Sequence, residues 1–379
     1  MFKPKFAITN PMARALMDIE SVKTALAGMY IPIAVETALR EQARLRSTHY
    51  STRIEGNRLT LAEAKEVLQN AKVSFHGRER DVKEVRNYWN ALLRVEEWAD
   101  AGKPVTEELI RHIHALVEHG KRAKPTPYRD GQNAIREAGS NAIVYLPPEA
   151  KDVSGLMADM VKWINQAEKD GVPVPIIAGM AHYQFVTIHP YYDGNGRTAR
   201  LLATFILHRG GYGMNGFISL EEYHARDLTG YYNALSVHPH HNYYEGRAVA
   251  ELTSWLEYFT KTLAQVFQSV QKEALTLAKK GIKAEPEALR KLDKRARAVL
   301  GLFLQAETIS ASDVSKLLGL SDRMTRLLLK EWAEAGILTV KNASNRNRAY
   351  QLSAKYRQYL GSLSAMPPVE PRSLNHVKH

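Results

Sequence analysis

The chain has 379 residues, enough for two or three domains, and 45% of them are hydrophobic, enough to bury a core. It contains no cysteine, which excludes a disulfide framework and any thiolate chemistry. The formal charge of +12 is unevenly placed: 279–379 holds 19 Lys and Arg against 9 Asp and Glu, so the first 278 residues carry only +2.

Met1 to Leu16 carries Lys3, Lys5 and Arg14 but no apolar core of a signal peptide, and no apolar run reaches the length of a membrane span. The expectation is a soluble cytoplasmic protein. Up to about residue 110 the pattern reads as helices with polar loops. A long helical stretch spans roughly Ile31 to Ser51, and Leu61–Leu68 and Glu84–Trp98 are periodic. Between the first two lies Ser51-Thr52-Arg53-Ile54-Glu55-Gly56-Asn57, where Gly56 suits a helix C-cap and Thr60 caps the next helix. Another helix covers 105–120, and 121–138 reads as loop. Asn141 to Pro148 alternates and ends in prolines, predicting a short strand or hairpin. Helices follow at 152–169, 174–188, 195–209, 219–235 and 246–278. Beyond Gly281 and Pro286 come helices at 291–305, 310–318 and 322–335, then strands at Ile337–Val340 and Ala349–Leu352 around a polar loop. Three helices followed by two strands predict a winged helix-turn-helix.

The stretch His189-Pro190-Tyr191-Tyr192-Asp193-Gly194-Asn195-Gly196-Arg197-Thr198-Ala199-Arg200 concentrates chemistry. It opens into a helix on which Leu201, Leu202, Phe205 and Ile206 recur at helical spacing, and a helix N-terminus offers unpaired N–H groups and a positive dipole end to phosphate. Gly194 and Gly196 permit close approach and positive φ, and Asn195 adds an amide. Arg197 and Arg200, at i and i+3, suit phosphate oxygens. Asp193 stands where a carboxylate would hold Mg²⁺ against those phosphates. His189 can take a proton from a hydroxyl near neutral pH. The set reads as nucleotide binding joined to activation of a hydroxyl nucleophile.

At these residues the chain resembles the Fic family, whose signature is His-Pro-Phe-x-(Asp/Glu)-Gly-Asn-Gly-Arg-x-x-Arg. Tyr191 in place of Phe is the one departure. The resemblance implies a mainly α, helical Fic fold with a small β-hairpin flap, and transfer of AMP from ATP to a Ser, Thr or Tyr hydroxyl of a protein. It makes His189 the general base and Asp193 the ligand of Mg²⁺ or Mn²⁺. It makes Gly194, Asn195, Gly196, Arg197, Thr198, Ala199 and Arg200 the ATP-binding run. Ser51, Glu55 and Gly56 fit the family's inhibitory motif, in which the glutamate pairs with the second arginine, here Arg200. Asn141 to Pro148 would be the flap that orients the target peptide. Tyr231 and Tyr232 match a tyrosine pair placed near adenine, and equally suit a core aromatic pair.

The implied organisation is an N-terminal helical region at 1–110, a catalytic core at 111–278, a linker at 279–286, a winged helix at 287–360 and a tail at 361–379. On the third helix of the winged pattern Arg323, Arg326 and Lys330 share a face, and Lys341, Arg346 and Arg348 add charge on the wing. This surface suits duplex DNA, or a protein partner or second copy of the chain, and the pattern does not choose. Two rival functions use the same residues: removal of AMP or another phosphoryl or nucleotidyl transfer at the same site, and a nucleotide-sensing DNA-binding regulator. His238, His240 and His241 lack a metal-binding frame and read as a solvated loop, and His182 as a packing residue.

Overall fold

The computed structural model describes residues 2–29, 31–121, 124–136, 141–279, 287–303, 306–318, 320–342 and 348–364. The chain divides into two compact units: Met1–Met29 with Arg40–Lys272, and Tyr30–Leu39 with Glu273–His379.

The first unit is helical. Its helices are α1 (Asn10–Ala27), α2 (Ile33–Ile54) from Arg40 onward, α3 (Leu61–Gln69), α4 (Glu79–Asp100), α5 (Glu107–His119), α6 (Ala150–Lys169), α7 (Val174–Ile188), α8 (Asn195–Leu207), α9 (Leu220–Arg226), α10 (Leu228–Leu235) and α11 (Thr253–Lys279) as far as Lys272. At its centre α7 packs on α8, with α4 and α5 against α8 and α6 against α7. Helix α7 is apolar all round, and 13 of its 15 residues are buried, as such a helix requires. Between α5 and α6 a two-stranded antiparallel ribbon pairs β1 (Ile135–Arg136) with β2 (Ile143–Tyr145).

Three helix ends depart from the sequence reading. The helix expected over 219–235 breaks at Asp227, which leaves helical geometry (φ −130°, ψ 70°) and caps α10 through the Gly230 amide at 2.9 Å. The helix expected from 246 starts only at Thr253, after Gly246 at φ 123°, a 3₁₀ turn at Arg247–Val249 and a bridge between Glu251 and Lys5. The one expected to reach 209 ends at Leu207 and passes into a π turn, His208–Tyr212, with Gly211 at φ 84°.

In the second unit, α12 (Glu287–Arg290), α13 (Lys294–Leu302), α14 (Ala311–Leu318) and α15 (Asp322–Glu334) precede β4 (Leu338–Asn342), β5 (Ala349–Leu352) and α16 (Ala354–Ser364). A strand that periodicity did not suggest, β3 (Ile309–Ser310), completes an antiparallel sheet of order β3-β5-β4. Val314, Leu329, Trp332, Ile337, Tyr350 and Leu352 form its core. Helix α16 occupies part of the stretch read as a tail; 365–379, like 280–286 of the linker, lie outside the described residues.

Candidate active site

Helix α7 stops at His189, which adopts left-handed backbone (φ 51°, ψ 60°) while its N–H still bonds to the Phe185 carbonyl at 2.9 Å. A non-glycine residue there is uncommon and is held by its surroundings. The imidazole Nδ1 lies 3.2 Å from the Val186 carbonyl. That contact assigns the proton to Nδ1 and leaves the Nε2 lone pair as the acceptor. Burial is the main influence on the ring and lowers its pKa to about 4, so it is neutral at neutral pH.

The loop from His189 to α8 is closed by its own side chains. The Asn195 amide donates to the Tyr191 carbonyl at 2.8 Å, and its oxygen accepts from the Tyr191 N–H at 3.0 Å. Tyr191 is buried and stacks on His114 of α5, ring centroids 3.6 Å apart, and His114 Nε2 bonds to the Asp193 carbonyl at 2.9 Å. Gly194 then takes positive φ (75°) and caps α8 without a side-chain hydrogen bond to the helix end.

The two signature arginines face opposite neighbours, each with only 2% of its side chain exposed. Arg197 lies 2.9 Å from Glu118, 3.2 Å from Asp193 and 3.8 Å from Glu84. Burial raises the pKa of Glu118, and Arg197 works against that rise. Arg200 donates from Nε to Ser51 Oγ at 2.8 Å, and from its second amino group to the Ser51 carbonyl at 2.9 Å and Glu55 Oε1 at 2.8 Å. Burial opposes its charge, but Glu55 together with the Tyr231 and Tyr88 phenols outweighs it, and the guanidinium pKa lies above its usual range. A Cβ at Gly196 would meet the Glu55 carboxylate, which would have to shift, so glycine leaves that carboxylate its room against α8. Gly56 (φ 89°) ends α2 just beyond Glu55.

Of the other expected residues, Thr198 and Ala199 are fully buried in α8. Tyr231 is a core aromatic on α10 that bonds to His182 at 2.9 Å, whereas Tyr232 is 47% exposed. Asp193 has one oxygen on the Gly194 N–H at 2.6 Å and on Arg197, and the other 3.3 Å from Arg80; its side chain is 57% exposed. Among the described residues no three acidic or histidine side chains converge on a metal position. A lone exposed carboxylate fits a Mg²⁺ that brings its remaining oxygens from bound phosphates and water, not one held by a protein cage. On the ribbon, Ile143 and Val144 are exposed, and the Tyr145 hydroxyl donates to the Thr187 carbonyl at 2.6 Å. In the second unit Arg323, Arg326 and Lys330 are exposed on α15 and Arg348 is exposed before β5; Arg346 lies outside the described residues.

Residues to which the sequence reading assigned no role complete the site. They are His114 and Glu118 on α5, Asn57 after α2, and Arg129, which bonds to the His189 carbonyl. A buried-type polar residue at the C-terminal end of the amphipathic α5 was the available signal for the first two.

Residues 104–207 match the Fic/DOC family. Curated relatives named "Protein adenylyltransferase Fic" include one from Drosophila grimshawi, 27% identical over 208 residues, covering 52% of this chain and 40% of the relative. Another, from Drosophila erecta, is 28% identical over 214 residues, covering 54% and 40%. The match thus spans about two fifths of those relatives' length. Among solved structures, a Fic domain-containing signaling protein from Bacteroides thetaiotaomicron is 25% identical with a TM-score of 0.60, covering 69% of this chain and 97% of that one. A Fic family protein from Desulfovibrio desulfuricans shares the fold at 24% identity and TM-score 0.58 over 93% of this chain. No described helix is long and apolar enough to cross a membrane. The signature loop and the helical fold around it thus lie in the part of the chain, residues 104–207, that matches the Fic/DOC family.

Proposed function

We propose that this chain transfers AMP from ATP to a hydroxyl of a protein, and that Glu55 holds the reaction back. The supporting observation is the arrangement around α8: a neutral imidazole at His189, a helix N-terminus without a side-chain cap, and Arg200 bonded to Glu55 at 2.8 Å. The target hydroxyl oxygen attacks the α-phosphorus, its proton passes to His189 Nε2, and the bond to the β-phosphate oxygen breaks to release pyrophosphate. The α8 amides receive phosphate oxygens as charge builds on them. Asp193 would hold Mg²⁺, which when bound neutralises triphosphate charge. Exposed Ile143 and Val144 offer the target peptide a strand edge.

Glu55 competes with phosphate for the Arg200 guanidinium. Removing it frees that group, so Glu55→Gly raises transfer. The test incubates wild type and Glu55→Gly with α-labelled or γ-labelled ATP. Label from the α-phosphate on protein, stronger in Glu55→Gly, is expected. Label from γ alone would make the chain a kinase. Weaker labelling in Glu55→Gly would give Glu55 a chemical role and favour removal of AMP.

The second unit we read as a winged helix whose exposed Arg323, Arg326 and Lys330 on α15 meet the phosphates of duplex DNA. The concentration of positive charge in 279–379 supports this reading.

A further inference from the structure

Arg129 is 4% exposed. Among the described residues no carboxylate pairs with it; its guanidinium meets carbonyl oxygens instead. Nε donates to His189 at 3.0 Å, one amino group to Gly131 at 2.9 Å, and the other to Pro148 in a short bond. Its backbone N–H donates to the Pro190 carbonyl at 2.9 Å. Its neighbours make the same kind of bond. Gln132 reaches the Pro147 carbonyl at 3.0 Å and Asn133 the Tyr191 carbonyl at 2.9 Å.

Apart from Gly131 in Arg129's own loop, these acceptors belong to two segments. His189 ends α7 with left-handed backbone, and its carbonyl accepts from Arg129. Pro148 closes the segment that follows β2, the strand whose Tyr145 is itself bonded to the last turn of α7. We infer that Arg129 is a positioning residue, a single guanidinium that ties the backbone of the base His189 to the exit of the β1–β2 ribbon. This inference rests on the proposed function, in which His189 takes the proton of a hydroxyl presented along β2.

Arginine is the residue that can do this. Its planar fork presents donors in three directions at once, whereas a lysine ammonium on a flexible stem cannot span the same three oxygens. Burying a cation without a carboxylate is costly, and burial indeed lowers the Arg129 pKa. The cost is offset by carbonyls that would otherwise lack donors. The charge also acts on the base. Besides burial, the charged groups that face His189 are Glu55 and Asp193, which favour the imidazolium, and Arg129, which disfavours it. Arg129 therefore helps keep the imidazole neutral and able to accept a proton.

The test compares Arg129→Met, which loses fork and charge, with Arg129→Lys, which keeps charge alone, both in the Glu55→Gly full-length chain. Transfer, ATP binding and the His189 imidazole titration by NMR are measured. Arg129→Met is expected to lower kcat by about 100-fold through misplacement of the base, with ATP affinity nearly unchanged. It should also move the acid limb of the rate profile and the His189 titration to higher pH, because a cation has been removed. Arg129→Lys is expected to lower kcat while leaving the acid limb and the titration in place. A kcat near the parent's in both variants, or a His189 titration unmoved in Arg129→Met, overturns the inference. Should Arg129→Met fail to fold, Arg129→Lys decides: parental kcat refutes the role. A parent that transfers no AMP refutes the proposed function instead, and the NMR titration still judges Arg129.

Discussion

Arg200 and Arg326 carry the same guanidinium into opposite surroundings. Arg200, on α8, has 2% of its side chain exposed and bonds to Ser51 and Glu55. Arg326, on α15, stands exposed next to Leu327, which is itself 51% exposed. In the first region the charge is defined by its nearest neighbours, and a ligand gains access only by replacing one of them. In the second the charge acts at a distance through solvent, screened within about 8 Å at physiological salt. Buried arginines thus encode competition, and exposed ones encode attraction.

The sharpest way to break this contrast is Arg200→Ala. Breaking a buried pair leaves Ser51 and Glu55 without their donor, and should cost about 3 kcal/mol of stability by thermal or denaturant unfolding. Transfer should fall by about 10² to 10³ in rate, as when one preorganised charge is lost. Adding Glu55→Gly should not restore it, since the group that Glu55 competes for is gone. A double variant as active as Glu55→Gly alone would show that Arg200 does not hold phosphate. For comparison, Arg323→Ala or Arg326→Ala should change stability by no more than about 0.5 kcal/mol.

A smaller effect sharpens the other side. Arg323→Glu with Arg326→Glu should weaken binding to a short mixed-sequence DNA duplex, measured by fluorescence anisotropy. The slope of log affinity against log salt should become shallower by about 2. Wild type with no measurable duplex binding at low salt would turn this face toward a protein partner.

The smallest effect concerns Tyr191, whose hydroxyl is buried with no hydrogen-bond partner among the described residues. Tyr191→Phe removes that group while keeping the ring stacked on His114. Stability should stay within about 1 kcal/mol of wild type, with any change toward greater stability. A loss above about 2 kcal/mol would show that the hydroxyl is paired.

The legible parts of the molecule were those written in short spacings. The helix opening at Asn195 and the turn at Gly194 follow from twelve consecutive residues, and the N-cap of α3 from Thr60 alone. The meeting of Ser51 and Glu55 with Arg200 spans about 145 residues and came only through resemblance to a family. Arg129 was illegible for a different reason: its partners are backbone carbonyls, which every residue has, so no side chain in the sequence points to them. Asp227 and Gly246 show the same limit in the fold. Each interrupts a stretch whose apolar period runs on past it, because a local cap or turn outweighs periodicity. Strand β3 is two residues long, and its pairing with Tyr350 and Ala349 is set by contacts far along the chain.

Asn57 fastens the turn after Glu55 to α4 by donating to the Asp81 carbonyl at 2.9 Å and to Glu84 at 3.0 Å. Glu55 is therefore a tethered ligand with a fixed local concentration at Arg200, independent of how much protein is present. On the proposed reading, nucleotide contends with that effective molarity, so the apparent dissociation constant rises by the factor with which the closed state outweighs the open one. Restraint of this kind is graded. It sets the nucleotide level at which the chain begins to work, and loosening the Asn57 anchor would lower that level without altering any group that touches the nucleotide.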